Sequence, residues 1–313
     1  MIYPYNKIEH IPEEILGVLP LKFADYGKSL VATGLMHNVL ELRLNDKHFI
    51  LKLYRDVADK GEFALSRELA GYQIAREQGL PVPRLCEQSS RPAYLLMEAA
   101  EGVNLKSILT DDSVEGYKKD RLVGRLCDCI GMLHSRKGES CSPPEYFGRL
   151  MGLLDNLYSN LGPSAIPEEQ RRVIDHAMID IKKRGGAFTS QISLSFVHSD
   201  LNPFNIIVKP DISDISAFVD WEKSHFGHPL EDIGKMLRHP FFGFSEKIKD
   251  CYGRRMGEVD ERQLEFFKGF SNLEFVLLYS LARDNHNFAS RSKTALYEQL
   301  FENHLRAVAA FSS

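Results

Sequence analysis

Cysteine is scarce in this 313-residue chain, and it follows no pattern. The five thiols, Cys86, Cys127, Cys129, Cys141 and Cys251, are odd in number and never spaced as CxxC. That excludes a disulfide framework and gives no zinc signature, so reduced thiols are expected. No apolar run reaches 18 residues, and the N-terminus, MIYPYNKIEH, carries no apolar leader segment. A membrane span and a secretory signal are therefore not expected, and a cytoplasmic location is. Charge of one sign is missing too. The net charge of −4 leaves no electrostatic footprint for nucleic acid. Repeats and low-complexity segments are absent. So is GxGxxG, and Gly27-Lys28-Ser29 is not the end of a Walker A loop, because Lys22 stands where its first glycine is required. What remains is an ordinary globular composition, 43% hydrophobic and 26% charged, long enough for two domains or one two-lobed one.

The N-terminal third reads as strands. Val39 to Leu44 alternates apolar and polar, Asn45-Asp46 makes a tight turn, and Phe49 to Tyr54 returns as a hairpin. Before it, residues 33–38 form a turn in which Gly34 and Asn38 are placed to let backbone N–H groups meet a phosphate. An ordinary hairpin turn accounts for that segment equally well. Lys52 interrupts an otherwise apolar strand. Alone it reads as an edge lysine facing solvent. As a phosphate-pairing lysine it needs a carboxylate, because an unpaired buried cation is costly. Glu68 offers one from the helix expected over 62–78, whose Leu65, Leu69, Tyr72 and Ala75 share a core-facing side. Ala93 to Glu98 reads as the last of five strands, with a small-residue connector at 99–102. Helices are expected farther on at 121–135, 167–184, 263–288 and 292–311, with another starting near Pro229 and Asp232.

The polar candidates concentrate in FVHSDLNPFNIIV, residues 196–208, and FVDWE, residues 218–222. They are His198, Asp200, Asn202, Asn205, Asp220 and Glu222. The apolar runs around them read as short buried strands joined by a turn at 209–214. Each residue alone has a plain structural explanation: Asn205 as a turn cap, Asp220 as a strand end, His198 as a packed imidazole. Jointly, H-x-D-x-x-x-x-N followed by an aspartate fifteen residues after Asn205, downstream of Lys52 and Glu68, matches the parts of phosphoryl transfer in order and element type. Asp200 is the candidate proton acceptor. Asn205 and Asp220 offer oxygen ligands of the kind magnesium takes.

With Gly227-x-Pro229-x-x-Asp232-Ile233-Gly234 downstream and Met132-Leu133-His134 upstream, these motifs resemble the aminoglycoside phosphotransferase family of protein-kinase-like small-molecule phosphotransferases. The resemblance implies an α+β, protein-kinase-like two-lobed fold. A small five-stranded antiparallel N-lobe with one helix would occupy 1–98, a hinge 99–102, and a mainly helical C-lobe 103–313. It implies ATP (with GTP left open) and magnesium as cofactors, with the backbone around Met97, Glu98 and Ala100 at the adenine edge. In the same resemblance Lys52 with Glu68 positions phosphates, Asn205 and Asp220 bind metal, and Asp200 is the catalytic base. Asp232 braces the catalytic loop, and His198, Asn202 and Glu222 support the site. Departures from protein kinases narrow the acceptor. Asn202 stands where protein kinases carry lysine, Trp221-Glu222 replaces Phe-Gly, and about a dozen residues from Asp220 to Asp232 leave no room for an activation loop. A small hydroxyl-bearing molecule, antibiotic or metabolite, is expected in place of a peptide. A catalytically degenerate nucleotide-binding protein is the alternative. The near-neutral C-terminal part argues against a polycationic acceptor. The acidic cluster Glu258, Asp260, Glu261 and Glu265 is the local exception, and solvated helix faces also explain it.

Overall fold

The computed structural model describes residues 23, 26–33, 37–54, 60–162, 166–185, 188, 190–238, 244–284 and 291–311. The lead-in expected before residue 20 lies outside the described residues, as does Gly34. The chain forms two compact units, Met1–Leu126 with Pro203–Ser224, and Cys127–Asn202 with His225–Ser313. No helix among the described residues is long and apolar enough to cross a membrane.

The first unit is built on a five-stranded antiparallel sheet. Its strands are β1 (Gly27–Thr33), β2 (His37–Leu44), β3 (Lys47–Tyr54), β4 (Leu85–Ser90) and β5 (Ala93–Glu98), in the order β1-β2-β3-β5-β4. Asn45, at φ 54°, makes the two-residue turn that pairs Leu44 with Lys47. Strand alternation divides β3 between two faces. Leu51 and Leu53 enter an apolar cluster with Phe23, Leu40, Leu42, Tyr94 and Leu96. Lys52 and Tyr54 point the other way, where helix α1 (Lys60–Glu77) lies. A slip of one residue in register would drive Lys52 into the apolar cluster. α1 buries Leu65, Tyr72 and Ala75 and ends at Gly79, whose φ of +76° suits a helix C-terminus.

Two close approaches fix the rest of this unit. A three-stranded sheet joins Val103–Asn104 to the hairpin of Ile206–Val208 and Ile215–Phe218. Gly102 feeds it at φ +122°, and a Cβ there would lie 1.8 Å from the Val208 carbonyl oxygen, so only glycine fits. On α1, a Cβ at Gly71 would lie 2.7 Å from Trp221 Cβ. The missing side chain lets the helix rest directly on the segment after the hairpin, with Trp221 fully buried. Glu68, one turn earlier on α1, is thereby brought to Asp220.

The second unit is mainly helical. It holds the end of the helix Gly116–Ser135 and the helices Pro143–Ser159, Glu168–Gly185, Leu230–Leu237, Ser245–Met256, Glu261–Asp284 and Arg291–Phe311. Phe147, Phe266, Phe267, Phe270 and Phe301 are buried among them. A short antiparallel pair, Ser195–Val197 with His225–Gly227, flanks the loop that carries His198 and Asp200. The α+β class, the five-stranded antiparallel sheet with its helix, and the helical remainder are those expected from the sequence.

Candidate functional site

In the first unit, Lys52 is buried and shared. Its ammonium donates to Glu68 Oε2 at 2.6 Å and to Asp220 Oδ1 at 2.7 Å, and lies 3.9 Å from Glu222 Oε2. The Tyr54 hydroxyl donates to the same Glu68 oxygen. Burial by itself would lower the Lys52 pKa. Asp220 and then Glu68 outweigh it and hold the ammonium well above its ordinary value. Burial pushes the Glu68 carboxyl up, against the pull of Lys52. The cluster thus sets three carboxylates, Glu68, Asp220 and Glu222, around one fixed ammonium. Glu68 Oε1 is shielded from solvent and makes no hydrogen bond, and Glu222 Oε2 pairs with His37 Nδ1 at 2.9 Å. Three carboxylates beside one ammonium leave a surplus of oxygen donors, and magnesium or a similar ion fits that chemistry.

The hairpin aims these groups. Val219 N–H donates to the Asn205 carbonyl at 3.0 Å, and Phe218 N–H to that of Pro81 at 2.9 Å. Asn205 and Asp220 therefore leave the same end of the hairpin. Asp220 adopts a left-handed conformation, φ 72°, which aspartate tolerates better than most residues.

In the second unit, the loop bearing Asp200 is held by its backbone. Asp232 is fully buried, and its carboxylate accepts from His198 N–H at 2.8 Å and Ser199 N–H at 2.7 Å. His134 Nε2 lies 3.1 Å from Asp232, and its Nδ1 lies 2.8 Å from the Tyr252 hydroxyl. Burial would raise the Asp232 pKa. The hydrogen bond and charge of His134, with the backbone of His198, hold it below the usual carboxylate range. Lys235 donates to the Ser199 carbonyl and pairs with Glu274 at 2.7 Å. These bonds clamp Ser199 at φ 58°. Asp200 N–H donates to His198 Nδ1 at 3.3 Å, Asn202 Nδ2 donates to the Asp200 carbonyl at 2.9 Å, and Arg238 Nη2 lies 4.0 Å from Asp200 Oδ1.

Other sequence candidates are placed less directly. Met97 is buried, with its sulfur 3.6 Å from the Tyr72 hydroxyl. The N–H groups of Glu98 and Ala99 are taken by the carbonyls of Arg84 and His48, so neither is open to an adenine edge. Ala100 follows them. Asn38 is buried on β2 opposite Leu53. Glu258, Asp260, Glu261 and Glu265 line a cavity of about 930 Å³ in the second unit, beside Lys137 and Arg184. Neither Asp200 nor Arg238 lines it, which separates it from the loop chemistry. Sequence reasoning missed His37, Tyr54, Lys235 and Arg238. Lys235, three residues after Asp232 on one helix, was findable, since that spacing puts both on one face.

The model of the phosphotransferase enzyme family matches residues 31–267. This chain belongs to the phosphotransferase enzyme family. It has the aminoglycoside phosphotransferase fold. Mouse acyl-CoA dehydrogenase family member 10 is 25% identical to this phosphotransferase over 254 residues, which are 74% of the present chain and 22% of that protein. A thermostable mutant of aminoglycoside phosphotransferase APH(4)-Ia superposes with TM-score 0.65 at 14% identity, over 92% of this chain and 97% of that one. A form in ternary complex with AMP-PNP and hygromycin B gives TM-score 0.62 at 14% identity, over 92% and 98%. A choline/ethanolamine kinase family protein from Mesorhizobium loti gives 0.58 at 17% identity, over 95% and 97%.

The charge balance at Lys52 makes a testable prediction for this phosphotransferase. Lys52→Met removes the one ammonium among three carboxylates, so the already raised Glu68 pKa rises further. A carboxyl with its folded pKa above the unfolded value adds stability that is lost as pH rises through the folded value. The denaturant midpoint of Lys52→Met is expected to fall relative to wild type as pH rises above the ordinary carboxylate range. A pH-independent difference would contradict this electrostatic account.

Proposed function

We propose that this phosphotransferase moves the γ-phosphoryl group of ATP onto a hydroxyl of a small molecule, with a divalent ion of the magnesium type. The observation that carries the reading is the buried Lys52 ammonium, shared by Glu68 and Asp220. A lysine held immobile by a helix carboxylate is the preorganised anchor that phosphoryl transfer requires. Lys52 binds phosphate oxygens, and Glu68 keeps its ammonium aimed. Asp220 and Asn205 would hold the ion, with Glu222 beside them. When bound, that ion supplies neutralisation of phosphate charge. Asp200 orients the acceptor hydroxyl and takes its proton, while the β–γ bridging P–O bond breaks, a P–O bond to the acceptor forms, and ADP leaves. His198, Asn202, Asp232 and Lys235 hold the loop so that Asp200 does not move. The complex of APH(4)-Ia with AMP-PNP supports an adenine nucleotide.

Arg238 refines the acceptor. Its guanidinium beside Asp200 offsets that carboxylate's charge, so the local field does not favour a polycation. A neutral or anionic hydroxyl compound is the better match, although APH(4)-Ia, which was crystallised with hygromycin B, keeps aminoglycosides in the test. The experiment is ADP release and ³¹P NMR over a panel of polyols, hydroxy acids, amino alcohols and aminoglycosides. Acceptor-dependent ADP and a new phosphomonoester resonance are expected, with aminoglycosides not the best acceptors. Nucleotide binding without acceptor-dependent turnover anywhere in the panel would favour a nucleotide-binding protein without transferase activity.

A further inference from the structure

Two of the four buried thiols lie against each other in the second unit. Cys127 is on the helix Gly116–Ser135 and Cys251 on the helix Ser245–Met256. Cys127 is wholly buried, Cys251 is 6% exposed, and both thiols are free. Cys127 Sγ lies 3.7 Å from the Ile248 carbonyl oxygen, one turn before Cys251, and its thiol hydrogen-bonds with that of Cys251. Packing alone would surround such a pair with apolar groups. Here Arg255 Nη1 donates to Cys251 Sγ at 2.9 Å, while Arg255 Nε is held by Asp128, the neighbour of Cys127. The Arg255 side chain is 30% exposed, so Cys251 stands one side chain from water.

A thiol beside a cation, with a second thiol in reach, is the setting of redox chemistry. The pair also sits on the support of the Asp200 loop. Cys127 and His134 are seven residues apart, on one face of their helix. His134 Nδ1 lies 2.8 Å from the hydroxyl of Tyr252, the residue after Cys251. His134 Nε2 in turn lies 3.1 Å from Asp232, the acceptor of the His198 and Ser199 N–H groups. In a disulfide the two sulfurs must close to about 2.05 Å. That draws the two helices together where His134 and Tyr252 already touch, so their contact has to give.

We propose that Cys127 and Cys251 form a reversible oxidation site for hydroperoxides, and that their disulfide loosens the His134–Tyr252 support of the Asp200 loop. The Cys251 sulfur attacks one oxygen of the hydroperoxide. An S–O bond forms, the O–O bond breaks, and the thiol proton leaves with the departing oxygen as water or an alcohol. The Cys127 sulfur then attacks that sulfur. The S–S bond forms, the S–O bond breaks, and the second thiol proton leaves with hydroxide as water. The two thiols are oxidised by two electrons in all, and the hydroperoxide is reduced. A lower turnover of the oxidised form rests on the function proposed above. The disulfide and the loosened loop do not, and both are read without nucleotide or acceptor.

The test treats the full chain with hydrogen peroxide, in a Cys86→Ser background that removes the exposed thiol. Unreduced peptide mapping by mass spectrometry reads the linkage. Hydrogen exchange over 196–203 reads the His198 and Ser199 amides. A Cys127–Cys251 disulfide is expected, reversed by dithiothreitol, with exchange at those amides at least about tenfold faster in the oxidised form. Adding Cys251→Ser should abolish the disulfide and leave exchange unchanged by peroxide. Both thiols intact at peroxide concentrations that oxidise Cys86 in the wild type would overturn the proposal. So would linkage through Cys129 or Cys141 in their place, or a Cys127–Cys251 disulfide with unaltered exchange. If the Cys251→Ser variant fails to fold, recovery of slow exchange on reducing the oxidised parent chain decides.

Discussion

Asp200→Asn is expected to lower turnover by about 10²–10⁴-fold, the range ascribed to a positioned general base. The substitution keeps the volume and the loop backbone. Asp200 N–H still reaches His198 Nδ1, and its carbonyl still accepts from Asn202. What disappears is the anionic oxygen that takes the proton and faces Arg238. Lys52, Glu68 and Asp220 are untouched, so nucleotide affinity should stay within about threefold while turnover falls, the pattern of an interaction made in the transition state alone. The measurement is steady-state turnover with the best acceptor from the panel, beside nucleotide affinity by calorimetry. Turnover within a few-fold of wild type would remove Asp200 from the proton-accepting role. A matching loss of nucleotide affinity would mean that the side chain acts through structure.

Asp232→Ala is expected to destabilise the chain by about 3–5 kcal/mol, the cost of removing one partner from a buried charged network. Two backbone N–H groups and His134 Nε2 lose their acceptor together, and water cannot replace it at a fully buried position. Ser199 also loses part of what keeps it left-handed. The effect depends on pH with a definite sign. The folded Asp232 pKa is depressed, so its contribution is present above the unfolded carboxylate value of about 3.9 and is lost as pH falls through the folded value. Denaturant unfolding should show the full difference between wild type and variant at pH 7, narrowing below about pH 4. A difference under about 1 kcal/mol at pH 7 would show that the loop does not depend on this brace.

The sheet was legible because each signal was local. Alternation along Val39–Leu44, the Asn45-Asp46 turn and the return strand specify a hairpin before any long-range contact forms. The helix at 60–77 was expected at 62–78 for the same reason, from the spacing of Leu65, Leu69, Tyr72 and Ala75. The helix Ser245–Met256 was not anticipated. It buries only Ile248, Cys251 and Tyr252, too few apolar residues to stand out from a polar surface. Polar partners far apart in the chain were harder still. Nothing local joins His37 to Glu222 or Arg238 to Asp200. The pairing of Lys52 with Glu68 was reached only because their order matched a known arrangement.

The sequence by itself determined the hairpin around Asn45, the helix at 60–77 and the spacing of His198, Asp200, Asn202, Asn205 and Asp220, because period and fixed spacing are properties of short segments. Tertiary structure decided which charges meet. The bare face of α1 at Gly71 lets the helix rest on Trp221 and brings Glu68 to the ammonium that Asp220 also holds. Burial raises the Glu68 carboxyl, while Asp220 and Glu68 outweigh burial at Lys52 and hold it as the cation. It also turns Asp232 from one acid among many into the acceptor that holds the Asp200 loop. Desolvation and distance act between segments that are remote in the chain, and no local pattern records them.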